Sequence, residues 1–385
     1  MATTEYFFVF GRTPQLALLE LRTLFPRATC IVDDVAMVPF DRLINPSLLI
    51  TLLGGTTKIV QKVGEANVLD GQLSGFLSFD SGSFTYGVSI FGDSTLPKTL
   101  LSDMKNILEE GGHHARYITS REGKALSSVV VDKEHAQELV VIRLKEHFVV
   151  GKTVAVQPYD AWSTRDYGRP HADAKSGMLP PKVARMLVNI AIGETFASRG
   201  ERQKTILDPF CGMGTILAEG YMSGCRVIGC DTSESVVQKA RENLSWLVAS
   251  NPDRKGAVAK IFMGDAVHVS DVLSPASVHA IVSEPFMGST DIVNKKTVEP
   301  SRIRNIIKGL EKLYIGCLRD WVHVLVPKGK IIIALPAYAI SGRIYFVKKV
   351  IDMCENLGYT IVDGPIEYSR PQAVVKRQFY IFQKI

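Results

Sequence analysis

The chain of 385 residues predicts a C-terminal α/β domain built on a doubly wound, mostly parallel sheet, preceded by smaller α+β units. Three observations carry that expectation. From about Lys182 onward, short apolar strands alternate with amphipathic helices, the pattern of βαβ units. The first of these strands runs into a glycine turn and a helix, "LDPFCGMGTILAEG" (Leu207–Gly220). The last two strands, "YTIVDGPIEYS" and "VVKRQFYIFQKI", have no helix between them. Such a pair joins as a hairpin and sets one strand antiparallel at the end of the sheet.

Taken in order, residues 1–68 read as a first α/β unit. "YFFVF" (Tyr6–Phe10) is a strand, and "PQLALLELRTLF" (Pro14–Phe25) is an amphipathic helix opened by proline. "TCIVDDVAMVPF" and "SLLITLLGGTTKIVQKV" read as strand material, the second broken at Gly54-Gly55. A second unit spans 69–161, with a strand "FTYGVSIFG" and a helix "LPKTLLSDMKNILEEGG". "ARYITSR", "ALSSVVVD" and "ELVVIRLKEHFVVGKTVAVQ" are its further strands. Neither unit gathers His, Cys or acidic residues in a catalytic pattern, so both read as binding or positioning domains. Residues 162–182, rich in Gly, Pro and charge, read as a linker. In 183–385 the helices are "KVARMLVNIAIGETFA", "GTILAEGYMSG", "SESVVQKARENLSWLVAS" and one around Arg302–Leu325. The strands between them are "TILDPF", "RVIGCD", "AKIFMGDA", "HAIVSEPF" and "GKIIIALPA".

Composition narrows the function classes. No segment approaches the ~20 apolar residues that span a bilayer. The N-terminal stretch lacks the basic and long apolar regions of a signal peptide. Six cysteines without a CxxC pair argue against a zinc knuckle or disulfide framework and for a cytoplasmic, reducing setting. The His are dispersed without metal-ligand spacing, so no metal site is expected. The net charge of +6 arises in residues 181–385, where 27 Lys+Arg face 19 Asp+Glu. A basic C-terminal half suits a polyanionic partner, although a solvated basic surface has the same composition.

The glycine turn after the first strand of this half points to a cofactor. Gly212 and Gly214 let the backbone approach a ligand, and the following helix offers free amides to a carboxylate or phosphate. It is neither a G-x-G-x-x-G fingerprint, since Leu217 takes the third glycine position, nor a P-loop. Asp231 ends the next strand, where doubly wound folds hold ribose hydroxyls, and Asp265 ends the third. A capping role for Asp231 at the next helix is the competing structural reading. Three acids at successive strand tips share the crevice along the sheet's carboxyl edge. S-adenosylmethionine fits this set, with its amino-acid end at the turn, its ribose on Asp231, and its adenine by Asp265 and Ala266.

These residues also carry a family resemblance. "DPFCGMGTILAEG", "GCDTSESVVQKARENL" and "GDAVHV" resemble class I methyltransferases that modify exocyclic amines in RNA, above all the THUMP-domain tRNA guanosine N2-methyltransferases. "YFFVFGRTPQLALLELRTLFP" and "LLGGTTKIVQKVGE" resemble that family's N-terminal ferredoxin-like domain, and the chain up to "GKTVAVQPYD" resembles its THUMP domain. "RDYGRPHADAKSGMLPPKVARMLVNIA" resembles its lead-in to the catalytic domain. The resemblance implies a Rossmann-like methyltransferase sheet behind ferredoxin-like and THUMP-like RNA-binding domains. It also implies tRNA as partner, S-adenosylmethionine as cofactor, and Asp208, Pro209, Phe210, Cys211, Gly212, Gly214, Thr215, Asp231, Asp265 and Ala266 as its site. A small activating protein partner is left open.

In this superfamily the tip of the fourth strand reads Asp/Asn/Ser-Pro-Pro-Tyr/Phe, whereas this chain has Ser283-Glu284-Pro285-Phe286 followed by Met287 and Gly288. An exocyclic amine is a poor nucleophile because its lone pair is delocalised into the ring. An oxygen accepting its hydrogens favours the charge that develops on methylation, and an aromatic ring stacks on the extruded base. Two registers fit, one starting the motif at Ser283 and the other at Glu284, and both bring Glu284, Pro285 and Phe286 to the site. Glu284 is expected as the amine acceptor and Phe286 as the stacking ring. Arg165, Arg169, Lys175, Lys295, Lys296, Arg302, Arg304, Lys308, Lys376 and Arg377 are candidates for RNA phosphates, with a solvated surface as the plain alternative. The other functional readings are a non-catalytic THUMP-type RNA-binding protein with a degenerate site, or an amino-methyltransferase acting on DNA adenine or protein glutamine.

Overall fold

The computed structural model describes residues 3–78, 83–120, 123–172, 178–193, 203–288, 299–340, 342–369 and 373–385. They form two compact units, Met1–Trp162 and Ser163–Ile385.

In the first unit the order is β1 (Thr4–Phe10), α1 (Pro14–Leu24), β2 (Thr29–Val32), β3 (Val35–Phe40), α2 (Pro46–Leu52) and β4 (Thr56–Ala66). There follow β5 (Phe84–Phe91), α3 (Leu100–Glu110), β6 (Ala115–Tyr117), α4 (Ser128–Lys133), β7 (Gln137–Arg143) and β8 (Phe148–Val156). Among the described residues these strands make one sheet, in the order β2-β3-β1-β4-β8-β7-β5-β6. Its two halves meet where β4 and β8 pair antiparallel, from Lys58 opposite Val156 to Ala66 opposite Phe148. Two segments expected as strands are helices. At α2 the Asn45 side chain accepts the Leu48 N–H, and Pro46 presets the first turn, which outweighs the apolar run behind them. At α4 the Ser127 hydroxyl accepts the Val130 N–H, so a cap starts a helix in a β-branched stretch.

The helix α5 (Tyr159–Tyr167) leads out of this unit, and the residues after Trp162, expected as a linker, belong to the second unit. That unit continues with α6 (Pro181–Ile192), β9 (Thr205–Asp208), α7 (Thr215–Met222), β10 (Arg226–Asp231), α8 (Glu234–Ser250), β11 (Ala257–Met263) and β12 (Val278–Ser283). It closes with α9 (Pro300–Val324), β13 (Leu325–Ile340), β14 (Arg343–Phe346), α10 (Lys348–Asp352), β15 (Tyr359–Tyr368) and β16 (Val375–Lys384). The sheet order is β11-β10-β9-β12-β13-β16-β15, with β14 laid on β13. Strands β9 to β13 run parallel, and β16 is antiparallel to both β13 and β15. The expected hairpin is therefore present, but its antiparallel strand lies one place in from the edge. This is a Rossmann-like, doubly wound sheet with an antiparallel strand near one edge. Its core packs Leu207, Ile281, Ile331 and Ile333 against the inner face of α9, which supplies Leu310, Tyr314, Leu318 and Trp321.

Candidate active site

Parallel strands deliver their C-terminal residues to one rim, and β9, β10, β11 and β12 bring Asp208, Asp231, Asp265 and Glu284 there. A cavity of about 800 Å³ opens between them, within the range of small-molecule sites. Asp208, Pro209, Phe210, Cys211, Gly212, Thr215, Asp231, Asp265, Ala266, Glu284, Pro285 and Phe286 all line it, so most of the expected site is brought together. Met178, Leu179, Leu313 and Val375 complete its apolar wall.

The glycine turn is held from two sides. Asp231 accepts the Gly212 N–H on one carboxylate oxygen and the Ser233 N–H on the other, both at 3.1 Å. Asp231 thus braces the turn and the approach to α8, whose N-cap is Ser233, while lining the cavity. Gly214 caps α7 at φ 82°, and a Cβ there would stand 2.8 Å from Leu244 Cδ2, so glycine is required twice over. Asp265 accepts the Val267 N–H at 3.1 Å, and the Trp321 indole donates to the Ala266 carbonyl at 2.9 Å. Phe210 meets Trp321 edge-on. The turn, the carboxylates and the cavity volume suit a ligand with hydroxyls, a carboxylate and a cationic centre.

Asp208 is buried, and burial pushes its carboxyl up to about 7, against the opposing pull of hydrogen bonds from Ser283 and the Phe210 N–H. The Ser283 hydroxyl donates to Asp208 at 2.8 Å, which ties the tip of β12 to that of β9. Ser283 lies behind the cavity wall, in a supporting position.

Beyond Ser283 the chain turns outward. Glu284 receives the Arg377 Nε–H at 2.5 Å from β16. Burial drives its carboxyl above the ordinary range, and the guanidinium opposes that rise. Phe286 is 58% exposed, leaving its ring available for stacking. Two buried tyrosines fix the peptide: Tyr314 Oη donates to the Phe286 carbonyl at 2.6 Å, and Tyr338 Oη to that of Met287. Gly288, at φ 95°, leaves no room for a Cβ, which would meet Tyr338 Oη at 2.4 Å. Sequence reasoning missed both tyrosines, because in "GLEKLYIGC" and "IIIALPAYAI" they continue an apolar pattern.

The expected RNA contacts divide. Arg377 lines the cavity. Arg302, Arg304 and Lys308 stand exposed at the start of α9, and Lys376 pairs with Glu367 at 2.8 Å. Arg165 and Arg169 turn inward. Arg165 donates to Glu219 at 2.8 Å and shares it with Arg185, while the buried Arg169 donates to Thr215 at 2.8 Å. A guanidinium committed to the interior does not reach an external phosphate, so these two hold the helix behind the glycine turn. Both line a second cavity of about 20 Å³, room for a single water. Lys175, Lys295 and Lys296 lie outside the described residues. Among the described residues no group of His, Cys, Asp or Glu could hold a metal, and no helix is long and apolar enough to cross a membrane.

The chain is 28% identical over 219 residues to a tRNA (guanine(10)-N2)-dimethyltransferase of Pyrococcus abyssi, covering 57% of this chain and 52% of the relative. It is 29% identical over 211 residues to the protein of the same name from Methanothermobacter thermautotrophicus, covering 54% and 53%. The chain thus spans about half the length of the curated relatives it matches. TrmN of Thermus thermophilus shares the fold over 100% of both chains, with a TM-score of 0.57 at 16% identity. Residues 170–288, which carry the glycine turn, all three strand-tip aspartates and the Glu-Pro-Phe tip, match the RMKL-like methyltransferase domain.

Proposed function

We propose that this protein is an S-adenosylmethionine-dependent methyltransferase that adds methyl to the exocyclic N2 amine of a guanosine in tRNA. The observation that carries the reading is the convergence of the glycine turn, the three aspartates and the Glu284-Pro285-Phe286 tip on one cavity. The names of the two archaeal relatives support guanosine in tRNA as the acceptor. When bound at the turn, S-adenosylmethionine would supply the methyl group, its sulfonium sulfur being the leaving group that keeps the C–S electron pair. Phe286 stacks on the extruded base, and Tyr314 and Tyr338 hold the tip that presents it. Glu284 accepts one N2 hydrogen and takes the proton that N2 sheds, a role suited to a carboxyl whose pKa burial has raised. The unit 1–162, with its ferredoxin-like region 1–68 and THUMP-like region 69–161, holds the tRNA.

The test is incubation of the protein with labelled S-adenosylmethionine and tRNA, followed by digestion to nucleosides. Label in N2-methylguanosine or N2,N2-dimethylguanosine is expected, with guanosine 10 the first position to map. No label, with cofactor binding intact, refutes the activity and favours the RNA-binding reading.

A further inference from the structure

Glu284 directly follows β12 and Arg377 lies on β16, yet they meet on the cavity wall. Glu284 follows Ser283, which stands opposite Ile333 of β13, and Arg377 stands opposite Pro336 of that same strand. The central strand therefore sets the two side chains next to each other, and both are largely covered. The Arg377 Nε–H engages Oε1 of Glu284. Among the described residues no donor meets Oε2. Charge sign alone placed Arg377 on RNA phosphates, but a cation paired with the acid at the reaction centre points to a different task.

We propose that Glu284 and Arg377 together read the Watson–Crick edge of the target base and make guanine the base this site accepts. The inference rests on the guanosine N2 reading above and names the residues that enforce it. A guanine edge presents, side by side, the O6 acceptor, the N1–H donor and the N2–H donor. An ionised carboxylate accepts two adjacent donors on its two oxygens, and a guanidinium, with five N–H donors in a fixed fork, gives to O6. The pair thus offers donor, acceptor, acceptor against acceptor, donor, donor. Adenine inverts two of the three positions, setting its N6–H donors against the guanidinium and its N1 lone pair against the carboxylate. The two protein charges would still pair with each other, but the groups they turn to the base would go unmatched in a largely covered place, the arrangement by which hydrogen-bonding sites reject near-isosteric substrates most strongly. The same contact serves the chemistry, because the oxygen that accepts N2–H is the one that withdraws its proton. The Glu284 side chain reaches Arg377 across the width of β13.

The experiment uses tRNA assembled by ligation with one of three nucleosides at the position the wild type modifies: guanosine, 2-aminopurine riboside or 2,6-diaminopurine riboside. All three keep the 2-amino group, but the analogues lack N1–H and O6. For the wild type, kcat/KM on guanosine is expected to exceed that on either analogue by roughly 100-fold or more. In Arg377→Met the guanosine value is expected to fall at least tenfold while both analogue values hold, so that the ratio collapses. Arg377→Lys, which keeps the charge and a donor, is expected to restore part of the ratio. Calorimetric binding of S-adenosylmethionine shows that each variant is folded. An equal loss of kcat/KM on all three substrates, or an unchanged ratio in Arg377→Met, overturns the inference while leaving guanosine methylation in place. A wild type that labels no guanosine in unsubstituted tRNA refutes the guanosine reading and this inference with it.

Discussion

Asp208 stands at the tip of β9 with 2% of its surface exposed, and burial pushes its carboxyl from 3.8 up to about 7. A carboxyl raised in the folded state adds stability that is fully present below about pH 4 and disappears as pH rises through about 7. The step from 3.8 to about 7 bounds that loss at about 4 kcal/mol. Thermal unfolding of Asp208→Asn is therefore expected to be flatter than wild type between pH 4 and pH 7, with the variant relatively more stable at the upper end. A parallel pH dependence in both proteins would contradict the assignment. At Glu284 the expectation is kinetic. Glu284→Gln keeps the shape but loses the proton acceptor, so turnover should fall by about 100-fold or more with cofactor affinity unchanged. The aspartates at the rim were legible in the sequence because strand ends and glycines mark their places. The Ser283–Asp208 and Glu284–Arg377 contacts were not, since each joins residues that only sheet order makes neighbours.

The strand–turn–helix of β9 and α7 shows why a local motif reads so clearly. Its glycine requirement is enforced by its own backbone and by Leu244 on α8. Gly214→Ala must accept a left-handed φ and displace that leucine, so calorimetry should show at least tenfold weaker binding of S-adenosylmethionine. The β12 tip depends instead on distant support, two hydroxyls supplied by α9 and β13. Removing both in Tyr314→Phe/Tyr338→Phe costs about 1 kcal/mol per bond. The double variant should turn over about tenfold more slowly while binding the cofactor normally, as stopped assays and calorimetry would show together. In α2 and α4 the error of the strand expectation had a single origin: capping by Asn45 and Ser127 outweighed the composition of the residues that followed.

For the protein as a whole, the charge surplus in residues 181–385 and the exposed Arg302, Arg304 and Lys308 set an electrostatic expectation. KM for tRNA should rise steeply from about 50 mM to about 200 mM salt, whereas affinity for S-adenosylmethionine should barely move. A flat salt response would mean that phosphate contacts contribute little.

The position of β16 bears on how the protein is made. It follows every other strand in the chain, yet it lies between β13 and β15 and carries Arg377. While the ribosome has released β13 but not β16, the edge of "KIIIALPAYAI" is unpaired, apolar and β-prone, the kind of segment that recruits other chains. Synthesis therefore passes through an interval in which the glycine turn is already present, the base-reading pair is incomplete and the sheet needs shielding. The same late strand covers that edge of β13 and brings Arg377 to the cavity.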